Sequence, residues 1–97
     1  MKKLHIKASV PVIFIKERES FIAYSPAVDL SSCGRSRIEA KNNFKEALSL
    51  FFEECISMGT LYEVLESCGW VLKDKKEWFP PVLVGKDNIK VPIAAVD

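Results

Sequence analysis

The chain has 97 residues, 48% hydrophobic and 28% charged, with a formal net charge of +1. That composition suits one globular domain with one core and excludes a disordered chain. It shows no basic excess of the kind that grips nucleic-acid phosphates, and no segment nears the roughly 20 apolar residues that span a bilayer.

Met1-Lys2-Lys3 mimics the start of a signal peptide. The apolar stretch that follows is broken by His5, Lys7 and Ser9, and its continuous part, 10–15, is too short for an export signal. A soluble, cytoplasmic protein is expected. Residues 4–15 alternate with a period of two, through Leu4, Ile6, Ala8, Val10, Val12 and Phe14. They predict a strand, with Pro11 marking an edge or bulge. The charged run 16–20 reads as a hairpin tip, Phe21-Ile22-Ala23-Tyr24 as the return strand, and 29–34 as a weaker third strand after Ser25-Pro26.

Ser36-Arg37-Ile38-Glu39 fits a capping box and opens a helix over 37–58. Its apolar stripe is Phe44, Ala47, Leu48, Phe51, Phe52, Cys55 and Ile56, and Gly59 stops it. Thr60-Leu61-Tyr62-Glu63 reads as a second capping box for a short helix that Gly69 ends. Trp70-Val71-Leu72 restarts an extended segment, and 73–77 reads as a charged turn. Pro80 and Pro81 exclude a long helix, and 82–84 and 89–96 are β-prone. The order is α+β, β-β-β-α-(α)-β: an antiparallel sheet with a long amphipathic helix packed on one face. It divides into a core over 1–74 and an extended, proline-containing tail over 75–97.

The cysteines, Cys33, Cys55 and Cys68, are odd in number and form no CxxC pair. A structural zinc site needs about four paired ligands. Three reduced thiols are expected, at least two in apolar surroundings, in a reducing compartment. His5, the one histidine, stands among lysines with nothing near in sequence to orient it as a general base. Asp29, after Pro26, reads as a turn residue. There is no nucleophile elbow, phosphate-binding glycine loop or HExxH motif. A non-enzymatic chain is expected, without catalytic residues, cofactor or metal.

Charge is unevenly placed. Arg35, Arg37, Lys41 and Lys45 form a basic run with only Glu39 among them. From residue 46 to 72 there are five acids (Glu46, Glu53, Glu54, Glu63 and Glu66) and no Lys or Arg. On the long helix this order opposes the macrodipole, at a cost of about 0.3–1 kcal/mol per exposed charge at most. It reads either as a solvated face or as a surface that suits a basic partner.

The run Phe21-Ile22-Ala23-Tyr24-Ser25-Pro26, then Asp29-Leu30-Ser31-Ser32-Cys33-Gly34, resembles the core of HicB-type antitoxins. Ile38-Glu39-Ala40 and Lys45-Glu46-Ala47-Leu48 stand where that family has Glu-Ala pairs on its helix. Gly59-Thr60-Leu61-Tyr62-Glu63-Val64-Leu65 and Gly69-Trp70 are similar to a longer HicB-like subgroup. The resemblance spans about residues 10 to 70. Arg18-Glu19-Ser20 replaces the family's Asp-Gly type of turn, and the residues after Trp70 lack the helical period of a DNA-binding module, so no direct DNA binding is expected.

The resemblance implies an antitoxin whose partner is a small basic HicA-like ribonuclease, inhibited by covering its active site. The alternative is a stand-alone HicB-like assembly or regulatory module without a toxin. Expected partner contacts are Tyr24, Ser25, Pro26, Asp29 and Ser31, with Glu53, Glu54, Glu63 and Glu66 as a steering rim. A homo-oligomer, dimer or larger, is also expected. Residues 10–12 on an edge and the apolar tail 89–96 give more β-prone surface than one small sheet needs. Thiol titration in denaturant should find three free thiols per chain; fewer would reveal a disulfide.

Overall fold

The computed structural model describes residues 9–95. Strands β1 (Ile13–Glu17), β2 (Ser20–Ser25) and β3 (Leu30–Gly34) form an antiparallel sheet in the order β1-β2-β3. Phe14 pairs with Ala23 and Ala23 with Ser32, so these three share one face. Ile13, Tyr24 and Ser31 form a row on the other face, beside a row of Ile15, Ile22 and Cys33.

The first strand is shorter than the alternation predicts. Residues 4–8, His5 among them, lie outside the described residues, and 9–12 are not strand. The ladder begins two residues after Pro11, which has no N–H to donate. Val10 and Val12 still pack against the core, which is why the apolar alternation runs past the strand.

Helix α1 (Arg37–Met58) has the predicted bounds. The Glu39 N–H donates to Ser36 Oγ at 3.1 Å. At the other end Gly59 takes φ 70°, and the Thr60 N–H donates to the Cys55 carbonyl at 2.9 Å. Such a left-handed cap favours glycine because it has no Cβ. Ala40, Phe44 and Cys55 are buried, and Leu48, Phe51 and Phe52 are half-buried against the core. Ile56, placed on the apolar stripe from sequence, is 58% exposed. It lies about 100° round the axis from Cys55, at the edge of the stripe.

Helix α2 (Leu61–Ser67) follows, but without the predicted second capping box. The Thr60 side chain turns back to α1 instead, donating from Oγ1 to the Cys55 carbonyl at 3.5 Å. Leu61 and Leu65 are buried, and Trp70 closes the core beneath the 26–29 loop, its indole N–H donating to the Ala27 carbonyl at 2.7 Å. Cys55 and Cys68 lie in this core, as expected, whereas Cys33 is exposed.

The predicted charged turn at 73–77 proves to be the tip of a hairpin of β4 (Val71–Lys73) and β5 (Glu77–Phe79). Asp74 and Lys75 both have positive φ, 54° and 58°, the type I′ geometry that matches strand twist. β4 and β5 pair across residue 74, and an extended stretch follows from Pro80. Tyr62 stacks on Trp78 with ring centroids 5.7 Å apart. Beyond the hairpin, residues 80–95 form no strand, so neither β-prone stretch pairs within the described chain. Val84 is 95% and Ile93 is 83% exposed. The radius of gyration, 16.7 Å, exceeds the value of about 12.5 Å for a compact chain of this length.

Gly34 sets the distance between the layers. A Cβ there would lie 2.5 Å from the Ala40 backbone nitrogen and 2.9 Å from Glu39 Cβ. Backbone cannot swing aside as a side-chain tip can. Gly34→Ala should therefore cost about 1–3 kcal/mol, as overpacking does, and lower the urea midpoint. An unchanged midpoint would show that α1 can slide on the sheet.

Candidate protein-binding site

Helix α1 packs over β3 and β2 and little over β1. It covers the face that carries Ala23, and among the described residues no helix covers the opposite face. On that open face Ile13 is 37% and Ile15 is 44% exposed, beside half-buried Ile22 and Tyr24 and exposed Ser31 and Cys33. Adjacent apolar side chains on a sheet face, rimmed by polar ones, form the type of patch that binds protein.

Tyr24 and Asp29 close one end of it. The Tyr24 hydroxyl donates to Asp29 Oδ1 at 3.0 Å. Asp29 has φ 50°, a left-handed conformation that Asp tolerates better than most side chains. The turn brings the strand round, and the bond holds the phenol over its start. The Asp29 hydrogen bond, then partial desolvation, then the carboxylate's charge raise the Tyr24 pKa above its ordinary value.

The other expected contacts divide. Pro26, Asp29 and Ser31 are exposed. Ser25 is fully buried, and its Oγ accepts the Ala27 N–H at 3.2 Å. It therefore shapes the turn and is withdrawn from the expected contact set. Its inward direction follows from the register, which pairs it with Leu30 on the core side. Glu53, Glu54, Glu63 and Glu66 are all exposed, on α1 and α2. Glu53 and Glu54 thus belong to the helical layer, apart from the Tyr24–Ser31 row.

Two features escaped the sequence reading. The spacing of two puts Ile13 and Ile15 on one face, but Ile22 joins them only once the strand register is known. The second feature is an open groove of about 340 Å³ between β1 and α1, lined by Val10, Val12, Phe14, Phe44 and Leu48 with Lys41 and Lys45 at its edge. The spacing of Lys41, Phe44, Lys45 and Leu48 was its one sequence signal. The Arg37 guanidinium covers Phe14 nearby, 4.7 Å from the ring centroid.

Among the described residues no helix is long and apolar enough to cross a membrane, and no three His, Cys, Asp or Glu side chains gather as metal ligands would. No family model, curated protein or solved structure matches the chain.

The Tyr24–Asp29 bond is testable by titration. The phenol should ionise above its ordinary value of about 10, and Asp29→Asn should bring it down. A raised folded-state pKa means that the bond's stabilisation is present below the unfolded value and is lost as pH rises through the folded one. Phenolate absorbance in a Tyr62→Phe background, where Tyr24 is the one phenol left, follows this directly, and an identical titration with Asp29→Asn added would show that the bond does not set the Tyr24 pKa.

Proposed function

We propose that this chain is a non-enzymatic antitoxin that neutralises a small basic HicA-like ribonuclease by occluding its active site. The observation that carries the reading is the open sheet face, apolar along Ile13, Ile15 and Ile22 and closed at one end by Tyr24 and Asp29. The resemblance of residues 10 to 70 to HicB-type antitoxins supplies the partner class. The β-β-β-α order agrees with the fold that resemblance implies.

The proposed mechanism is steric and electrostatic. The partner's RNA-binding surface is basic, so exposed Glu53, Glu54, Glu63 and Glu66 give the approach a favourable field. Docking then removes the apolar face from water, with Tyr24, Pro26, Asp29 and Ser31 at the contact. A stable inhibitory complex buries about 1,200–2,000 Å² in total. Ordering of Tyr24 by Asp29 before contact reduces the entropy lost on docking. The reading places the protein in the cytoplasm and assigns it no role on DNA.

Co-expression with the small basic protein encoded next to it is the test. The wild-type chain should restore growth, and Ile15→Lys should abolish rescue by setting a cation against a basic partner while the fold stays intact. Replacing Glu53, Glu54, Glu63 and Glu66 by Gln should slow association at low salt, whereas Asp29→Ala should speed dissociation. A neighbour that is harmless, or equally toxic with the chain present, would favour the stand-alone module.

A further inference from the structure

We infer that the extended tail is the occupant of the β1–α1 groove in a second copy of this chain, so that two copies exchange tails reciprocally. Ile89, Val91 and Ile93 alternate with Lys90 and Pro92, as a strand with one apolar side does. All three stand in solvent, at 82%, 63% and 83% exposure. Among the described residues β1 is at the sheet edge, where its outward N–H and C=O groups form no ladder. The groove beside it continues the same layer with Val12, Phe14, Phe44 and Leu48. An added strand at that edge, with Ile89, Val91 and Ile93 turned towards α1, fills the groove and extends the sheet.

The register accommodates the proline. Residues 89, 91 and 93 then direct their backbone groups to β1, and Pro92, with nothing to donate, falls on the new outer edge. The tail also leaves its own body under control. Pro80 and Pro81 are half-buried, Pro81 lies against Gly69, and the paired prolines favour an extended exit. The ten residue steps from Phe79 to Ile89 reach about 33 Å, more than the 28 and 25 Å widths of the molecule, so the tail can span to a neighbour.

Burying an aliphatic side chain removes about 60–120 Å² from water, so Ile89, Val91 and Ile93 supply about 180–360 Å² per copy. Reciprocal exchange counts that contribution twice, and the main-chain hydrogen bonds of the added strands add to it.

The test is light scattering on the full-length chain at micromolar concentration. The wild type should run at twice the 11.0 kDa chain mass. A tail variant with Val91→Asp and Ile93→Asp should run at the single-chain mass with unchanged circular dichroism, because both residues stand clear of the core. A groove variant, Val12→Asp, shown by circular dichroism to keep the wild-type fold, should also be monomeric. Mixing the two should give a heterodimer weaker than the wild-type dimer, since only one of the two contacts remains, the intact tail of one in the intact groove of the other. A monomeric wild type or a tail variant that still dimerises would overturn the exchange. Residues 91 and 93 lie outside the sheet face assigned to the toxin, so toxin neutralisation by the monomeric tail variant separates the two proposals.

Discussion

The fold depends on how closely the first turn of α1 approaches the end of β3. Gly34 has no side chain there, so the Ala40 backbone sits where a Cβ would be. Asn43, one turn further on, donates from Nδ2 to the Cys33 carbonyl at 2.9 Å and fixes the helix along the same strand. Phe44 then enters the core over Ala23, whose small side chain leaves the space. The helix is held towards the β3 side of the sheet, so β1 is left without a full cover. The groove and the open face are both consequences of that off-centre seat.

The resulting core is small. Ala23, Ala27 and Ala40 are fully buried and contribute little apolar area each, so the larger share falls to Phe44, Leu61, Leu65 and Trp70. Phe52 links the two ends of this core, edge-on to Trp70 at 6.4 Å and to Phe51 at 5.6 Å. Such T-shaped contacts add about 0.5–1.5 kcal/mol beyond burial. A domain of this kind retains large apolar side chains on its surface because it lacks the layers to cover them.

Helix α1 was legible because both of its ends carry local chemistry: a serine that accepts a backbone N–H, and a glycine free to turn left-handed. The sheet order followed from the change of period at Ser36. What remained hidden depended on contacts distant in sequence. Nothing in 70–79 shows that Asp74 and Lys75 adopt a turn usually given to Asn-Gly, because the stacking of Trp78 on Tyr62 helps to hold the hairpin. Thr60 has the sequence of an N-cap, yet the end of α1 claims its hydroxyl. At the candidate site, Tyr24 was legible as the end of the return strand and Asp29 as a turn residue after Pro26. Ser25 is polar yet buried, because the register pairs it with Leu30 on the core side and its hydroxyl is used within the turn.

The two tryptophans occupy contrasting surroundings. Trp70 is 4% exposed with its indole N–H bound to a carbonyl, while Trp78 is half-buried and stacked against a tyrosine. The protein thus contains two native optical probes. Emission from Trp70 reports the junction of α2 with the 26–29 loop, and emission from Trp78 reports the hairpin, so loosening of one is distinguishable from loosening of the other without any attached dye.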